Sequence, residues 1–532
     1  MNTPSLILFN GKIHTMERSQ PLASAIVIEG DRIVAVGDDR LRSLAGASTR
    51  LVDLGGRTVV PGLIDAHLHF LSYGLSLREI DLMNAPSREA ALERVAARAA
   101  ATPEGRWLTG RGWDQVLWPE AVFPTAAQLD AVTPAHPAFL RRKCGHAGWA
   151  NSLALQLAGI TRDTPDPDGG AIERDPATGE PTGILLERAM DLVAQLQAIP
   201  TDAEAVDAVR VAMQRAHSLG ITGIHNMEGA PALRAFQELR RRGEWKLRVL
   251  QQIPEVDLDA AIELGIQSGF GDAWIRFGAV KIFADGSLGA RSALMVEPYE
   301  GEPHNRGIAV STAEHLKAQV EKAARAGLAV HIHAIGDQAN RNVLDAVEAT
   351  RRAGIGLHLR HRIEHAQVLQ PTDVPRFAAL GVIASMQPIH CTQDIVLADR
   401  HWGARSRLAY AWSSLLSSGA ALAFGSDAPV ETPDVMQGIY AAVTRRRADG
   451  YPGPEGWVPE ECVSVEEAVY AYTLGAAFAG GEEAIKGSLA PGKLADITVL
   501  DRDIFAAAAE EILTTPVAAT ILGVEIVYGA MA

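Results

Sequence analysis

The sequence predicts an α/β fold: a (β/α)8 barrel of the TIM type, a small β-sandwich domain made from both termini, and a large insertion after the first barrel strand. Three observations predict it. Eight short apolar runs follow one another along the middle of the chain: VVPGLIDAH, GITGIHNM, LRVLQQI, FGAVKIFA, LAVHIHA, LRHRIEHA, GVIASMQ and ALAFGSD. Most are separated by Ala/Leu/Arg/Glu-rich stretches of helical character, such as AEHLKAQVEKAARAG and DQANRNVLDAVEATRRAG. Parallel strands buried on both faces read as near-continuous apolar runs, and strands alternating with helices close into a barrel. The third observation is chemical. His67, His69, Lys281, His333, His365 and Asp427 all stand at the ends of such runs. Residues so far apart in sequence converge only if their strands share one cylinder.

The elements follow in order. The first stretch holds SLILFNGKIHTM, SAIVIEGDRIVAVGD and STRLVDLGGRTVVPG, with Asn-Gly and Gly-Asp between apolar alternations. These are hairpin signals. The last stretch, with DITVLDRD and VAATILGVEIVYGA, looks alike. One composite β-sandwich of residues 1–60 plus 485–532 is expected, beside a barrel of residues 61–484. Roughly 150 residues separate the first barrel run from GITGIHNM, and much of that gap is rich in Pro, Gly and Asp, as in GITRDTPDPDGGAIERDPATGEPTGILLE. A crossover needs only a helix, so residues from about 74 to 215 form an inserted subdomain. It leaves the C-terminal face of the barrel, where active sites sit, and is placed to cover a substrate.

Composition narrows the function. In 532 residues, 49 Lys and Arg against 64 Asp and Glu give a net charge of −15, the wrong sign for a free-standing nucleic-acid binder. The cysteines Cys144, Cys391 and Cys462 are widely spaced. They make no zinc-ribbon spacing and no disulfide framework, which suits a reducing cytoplasm. The start, MNTPSLILFNGKIHTMERSQ, has no signal-peptide pattern, and no apolar window is long enough to span a membrane. The expected partner is a small-molecule substrate rather than nucleic acid or membrane.

His67 and His69 are two apart on a strand, so both imidazoles point to one side and reach one metal ion. Lys281 sits among Val280, Ile282 and Phe283. It reads either as a lysine snorkelling to the barrel mouth or as one carbamylated by CO2, which turns a cation into a carboxylate bridge between two metals. In VHIHAIGD, His333 is the ligand candidate because it adjoins the loop, while His331 is an interior or supporting residue. His365 closes RHRIEHAQ, with Glu364 expected to face the opposite side and His361 structural. Asp427 ends the last run, where Gly425 and Ser426 permit close packing and Pro429 stops the strand. It reads as a metal ligand and proton carrier, or alone as a turn residue or helix cap. Imidazole and oxygen ligands together suit zinc, and also manganese, cobalt, nickel or iron. A hydroxide bridging two such ions is a strong nucleophile at neutral pH, and Asp427 can carry its proton to a leaving nitrogen. The chemistry implied is hydrolysis.

The segments PGLIDAHLHF, GHAGWANSLAL, VKIFADGSLGARSALM, VHIHAIGDQAN, HRIEHAQ and GSDAPV together resemble the amidohydrolase superfamily. Within it they resemble amidohydrolase family 3, a branch that includes N-substituted formamide deformylase. The resemblance spans essentially the whole chain. It implies two divalent metal ions, with zinc as the first expectation. His67, His69 and Asp427 would hold the more buried ion and His333 and His365 the more exposed one, with N6-carboxylated Lys281 bridging them. It implies hydrolysis of a non-peptide carbon–nitrogen bond, an amide or N-substituted formamide, with Asp427 as general base and acid. Esters, lactones, carbamates and phosphotriesters are alternatives on the same site, and a mononuclear deaminase is another. Deaminases of the superfamily typically lack the lysine and carry a Glu after the fifth-strand histidine, where this chain has Ala334-Ile335-Gly336-Asp337. A homodimer is expected on the resemblance alone. Substrate contacts are assigned to His146 and Trp149 in KCGHAGWANS, to Arg291 and to Trp113. The readings beside these are a structural His146, a surface ion pair for Arg291, and a core for the insert built on Trp113, Trp118 and Phe123. Asp285 and Gln387 are supporting groups around the ligands.

Overall fold

Eight parallel strands form one sheet in the computed structural model, which describes residues 3–83, 85–115, 118–142, 147–167, 170–196 and 200–531. They are Leu63–Leu68, Ile221–Asn226, Arg248–Pro254, Ile275–Phe283, Ala329–Ala334, Arg362–His365, Ile383–Met386 and Leu422–Phe424, and they pair in that sequence order. Almost every residue in them is buried, as strands covered on both faces require. The expected barrel is therefore present, strand for strand. Its last and first strands meet at a seam. Asp427 N donates to His67 O at 2.7 Å, and His69 N donates to Ala428 O at 2.8 Å. Buried Asp65 accepts from Ser426 N at 3.0 Å and Ser426 Oγ at 2.5 Å. Gly425 makes the approach sterically feasible, since a Cβ there would lie 2.5 Å from His67 N.

The run VVPGLIDAH, read as one strand, is two. Thr58–Pro61 and Leu63–Leu68 belong to different sheets and part at Gly62. A Cβ on Gly62 would lie 2.2 Å from Thr222 Oγ1, so only glycine lets the chain pass there. Thr58–Pro61 pairs in parallel with Lys12–His14 and antiparallel with Asp496–Leu500. That six-stranded sheet also holds Leu22–Ala23, Val517–Leu522 and Glu525–Gly529. A four-stranded sheet holds Leu6–Phe9, Ala25–Glu29, Arg32–Gly37 and Arg50–Asp53. One apolar cluster takes Leu6, Leu8, Ile26 and Ile28 from the smaller sheet and Ile13, Val59, Ile497 and Ile521 from the larger.

Residues Gly74–Ala208 form a second compact unit. It has its own six-stranded sheet, and an apolar core that contains Trp113, Trp118, Leu140, Trp149 and Ile184. Among the described residues no helix is long and apolar enough to cross a membrane.

Candidate metal centre

The six strand-end residues His67, His69, Lys281, His333, His365 and Asp427 all line one cavity of about 400 Å³ in the barrel unit. Side-chain alternation explains much of the convergence. His331 and His333 lie two apart on the fifth strand, and Arg362 and Glu364 lie beside them in register on the sixth. Two backbone departures supply the rest. His365 has φ +77° and Asp427 has φ +59°. Side chains other than glycine adopt this left-handed region at a cost of about 1–3 kcal/mol, and it concentrates at functional sites.

The first of these departures overturns one expectation. Glu364 does not face away from the site. It points into the barrel, and its Oε2 accepts from His67 Nδ1 at 2.6 Å. His365, one residue later, reaches the same cavity because its positive φ turns the chain out of the strand's alternation. Glu364 also pairs with the fully buried Arg362, whose Nη2 donates to Oε2 at 2.9 Å, to Ala66 O at 2.7 Å and to Ser385 Oγ at 2.7 Å. The Nε–Oε1 approach of the same pair, 2.8 Å, is an ion-pair contact without hydrogen-bond alignment. His331 Nδ1 lies 3.8 Å from Glu364 Oε1.

These contacts fix which ring nitrogens face the cavity. With Nδ1 donating to Glu364, His67 turns Nε2 toward Asp427 Oδ1 at 3.4 Å, and His69 Nε2 lies 3.3 Å from the same oxygen. His365 Nδ1 donates to Gln387 Oε1 at 2.8 Å, which leaves its Nε2 as the lone pair. Gln387 thus acts as the supporting group the sequence suggested. Asp285 instead holds the backbone, accepting from the N–H groups of Leu294, Ile335 and Gly336 at 2.8–3.0 Å; His333 Nε2 donates to Gly286 O at 2.9 Å and lies 3.5 Å from Asp285 Oδ1.

A metal ion fits this set. The potential ligand atoms of His67, His365 and Asp427 lie within 4.8 Å of one another. Ligand bonds of about 2.0–2.1 Å in a tetrahedron put neighbouring ligand atoms about 3.3 Å apart, close to the separations of Asp427 Oδ1 from His67 and His69. The electrostatics agree. Burial and Lys281 push His333 down to about 3, and burial and His333 push His365 well below the usual imidazole range. Both are neutral, the form that binds metal. Burial opposes a charge on His67, yet Glu364 and Asp427 overcome it and raise its pKa. Burial likewise opposes ionisation of Asp427, and His67 and His69 hold it well below the carboxylate range. Positive charge is thus favoured between these groups. Lys281 Nζ is buried without a hydrogen-bond partner, and burial lowers its pKa to about 8.

The residues assigned to substrate contacts fare differently. Arg291 is half exposed and ion-paired with Glu302. Trp113 and Trp149 are fully buried in the core of the Gly74–Ala208 unit, where their indole N–H groups donate to Leu140 O and Thr125 O at 2.8 Å each. His146 lies outside the described residues. Sequence reading passed over two cavity residues, His390 and Asp394, on the helix Pro388–Trp402 that follows the seventh strand. Their spacing of four, just after a strand end, was the available signal.

Comparison with known proteins accords with this geometry. Residues 50–528 match the model of the amidohydrolase family. The chain is 35% identical to YtcJ of Bacillus subtilis (strain 168) over 98% of its own length and 99% of that protein's. It is 30% identical to N-substituted formamide deformylase of Arthrobacter pascens, covering 94% of this chain and 93% of the other. The crystal structure of an uncharacterized metal-dependent hydrolase from Pyrococcus horikoshii OT3 superposes with a TM-score of 0.78 at 30% identity, over 95% of this chain and 99% of that one. The chain belongs to the amidohydrolase family and is a metal-dependent hydrolase acting on carbon–nitrogen bonds.

Proposed function

We propose that the protein hydrolyses a non-peptide amide or N-substituted formamide with two divalent metal ions, zinc in the first instance. His67, His69 and Asp427 would hold one ion and His333 and His365 the other, with N6-carboxylated Lys281 as a ligand available to both. The observation that carries this reading is Lys281 itself. A buried amine without a hydrogen-bond partner, in a cavity it shares with five imidazoles and three carboxylates, is costly as a cation and is accounted for as a ligand. The similarity to N-substituted formamide deformylase supports the choice of bond.

When bound, the two ions would supply a hydroxide nucleophile at neutral pH and polarise the scissile carbonyl. The chain's own groups do the rest. Glu364 and Gln387 fix the ring orientation of His67 and His365, as partners behind a metal ligand do. Asp427 keeps Oδ1 among the imidazoles and Oδ2 toward His390, 3.8 Å away, so it is placed to take a proton on one side and deliver it on the other.

Metal content by inductively coupled plasma mass spectrometry tests this directly. About two equivalents per chain are expected. About one would favour a mononuclear mechanism, and none after reconstitution with metal and bicarbonate would sink the reading. Lys281→Ala is expected to lose most activity and part of the metal, whereas a mononuclear deaminase would tolerate it.

The Lys281 amine also sets a pH dependence. Only the neutral amine reacts with CO2, and its pKa of about 8 in the metal-free protein places the change near neutrality. Activation of metal-free protein by zinc at a fixed concentration of dissolved CO2 should accelerate as pH rises toward 8 and level off above it. Stopped-time activity assays across pH 6–9 would read this out, and a flat profile would count against carboxylation.

A further inference from the structure

We propose that His390 and Asp394 form an amine-recognising subsite, selecting substrates whose leaving amine carries a second, protonated nitrogen. This rests on the amide-hydrolysis reading above and names its substrate class.

The two residues stand four apart on the helix Pro388–Trp402, on one face and about 6 Å apart along its axis. Both line the cavity. His390 is only 8% exposed, and its Nε2 has no hydrogen-bond partner. A buried polar atom left unpaired costs free energy, so Nε2 calls for a ligand atom. It lies 3.8 Å from Asp427 Oδ2, on the side away from His67 and His69. That is where a leaving nitrogen would collect its proton.

Asp394 is anchored from behind. The hydroxyl of fully buried Tyr410 donates to its Oδ2 at 2.6 Å, and among the described residues no hydrogen-bond partner is seen for Oδ1. Beyond the groups assigned to the metal ions, the cavity wall adds two carboxylates, Asp394 and Glu431, and, among the described residues, no lysine or arginine. Asp427 Oδ2 stands 3.8 Å from His390 Nε2, and Asp394 follows one turn further along the same helix. A leaving amine fits at Asp427 and His390 and a second ammonium at Asp394, as in an N-acyl derivative of a short diamine. Esters and phosphotriesters offer no N–H to the first position.

The test compares kcat/KM of the metal-reconstituted enzyme for N-formyl-1,3-diaminopropane and for its uncharged counterpart N-formylbutylamine. The wild type should prefer the charged substrate. Asp394→Asn keeps an acceptor for the Tyr410 hydroxyl and removes only the charge. It should cut the preference by about tenfold or more with an unchanged thermal midpoint. A wild type without preference, or an Asp394→Asn enzyme that keeps it, would overturn the proposal. If neither formamide is hydrolysed, the amide reading fails on its own. The subsite is then decided by calorimetric binding of 1,3-diaminopropane against butylamine to the metal-loaded wild type and Asp394→Asn. A preference for the diamine that disappears in the variant supports it, and any other result rejects it.

Discussion

Asp427→Asn should lower kcat by about 10²–10⁴-fold, the range a positioned proton-transfer group supplies. The side chain keeps its shape and one oxygen near His67 and His69, so metal content should hold up better than activity. What the variant loses is the charge that both histidines stabilise. Burial disfavours that charge, and the imidazoles reverse the balance, leaving Asp427 well below the usual carboxylate range. Asn can neither take a proton from the nucleophile nor hand it to a leaving nitrogen. Steady-state kinetics with metal quantified in the same samples separates the two contributions. Full activity at full metal content would remove Asp427 from the proton path.

Glu364→Ala should produce the largest loss of stability. Its carboxyl is fully buried between Arg362 and His67. Burial opposes ionisation, and the charges of Arg362 and His67 outweigh it, so the group sits well below its ordinary pKa. Removing one member of a buried ion pair leaves the other charged and uncompensated, at a cost on the order of 3–5 kcal/mol. The same change frees His67 Nδ1, and losing the partner behind a metal-ligating histidine weakens metal binding by about 10–100-fold. The thermal midpoint of the metal-free protein and competition against a chelator measure the two effects independently. Glu364→Gln keeps shape and an acceptor and should fall between. An unchanged midpoint in Glu364→Ala would show that Arg362 finds adequate partners in Ala66 O and Ser385 Oγ alone.

The barrel was legible because its strands are short apolar runs with little polar alternation, and burial on both faces is what such runs encode. The convergence of residues at the C-terminal strand ends was legible for the same reason. The fate of Glu364 was not. Period-two alternation puts Glu364 and His365 on opposite sides, and nothing local announces that His365 adopts a left-handed backbone. Nor does a sequence window show that VVPGLIDAH serves two sheets, because the constraint at Gly62 comes from Thr222, 160 positions away. Trp113 and Trp149 show a different limit. Large aromatics in a Pro/Gly-rich insertion suggest a binding wall and a core equally well, and only their burial tells where they pack. His390 and Asp394 were hidden because a helix after a strand looks like ordinary barrel scaffolding.

The strand Thr58–Pro61 has a consequence for how the protein is made. One edge pairs with Lys12–His14, which leaves the ribosome before it, but the other pairs with Asp496–Leu500. From Val59 to its partner Val499 the chain runs 440 positions, which at about 5–20 residues per second takes roughly 20–90 s to synthesise. Throughout that interval the nascent chain carries an open strand edge, a template for pairing with the wrong neighbour. The first barrel strand follows this edge after Gly62 alone, so its upstream neighbour gains its last partner only after all eight barrel strands have been made.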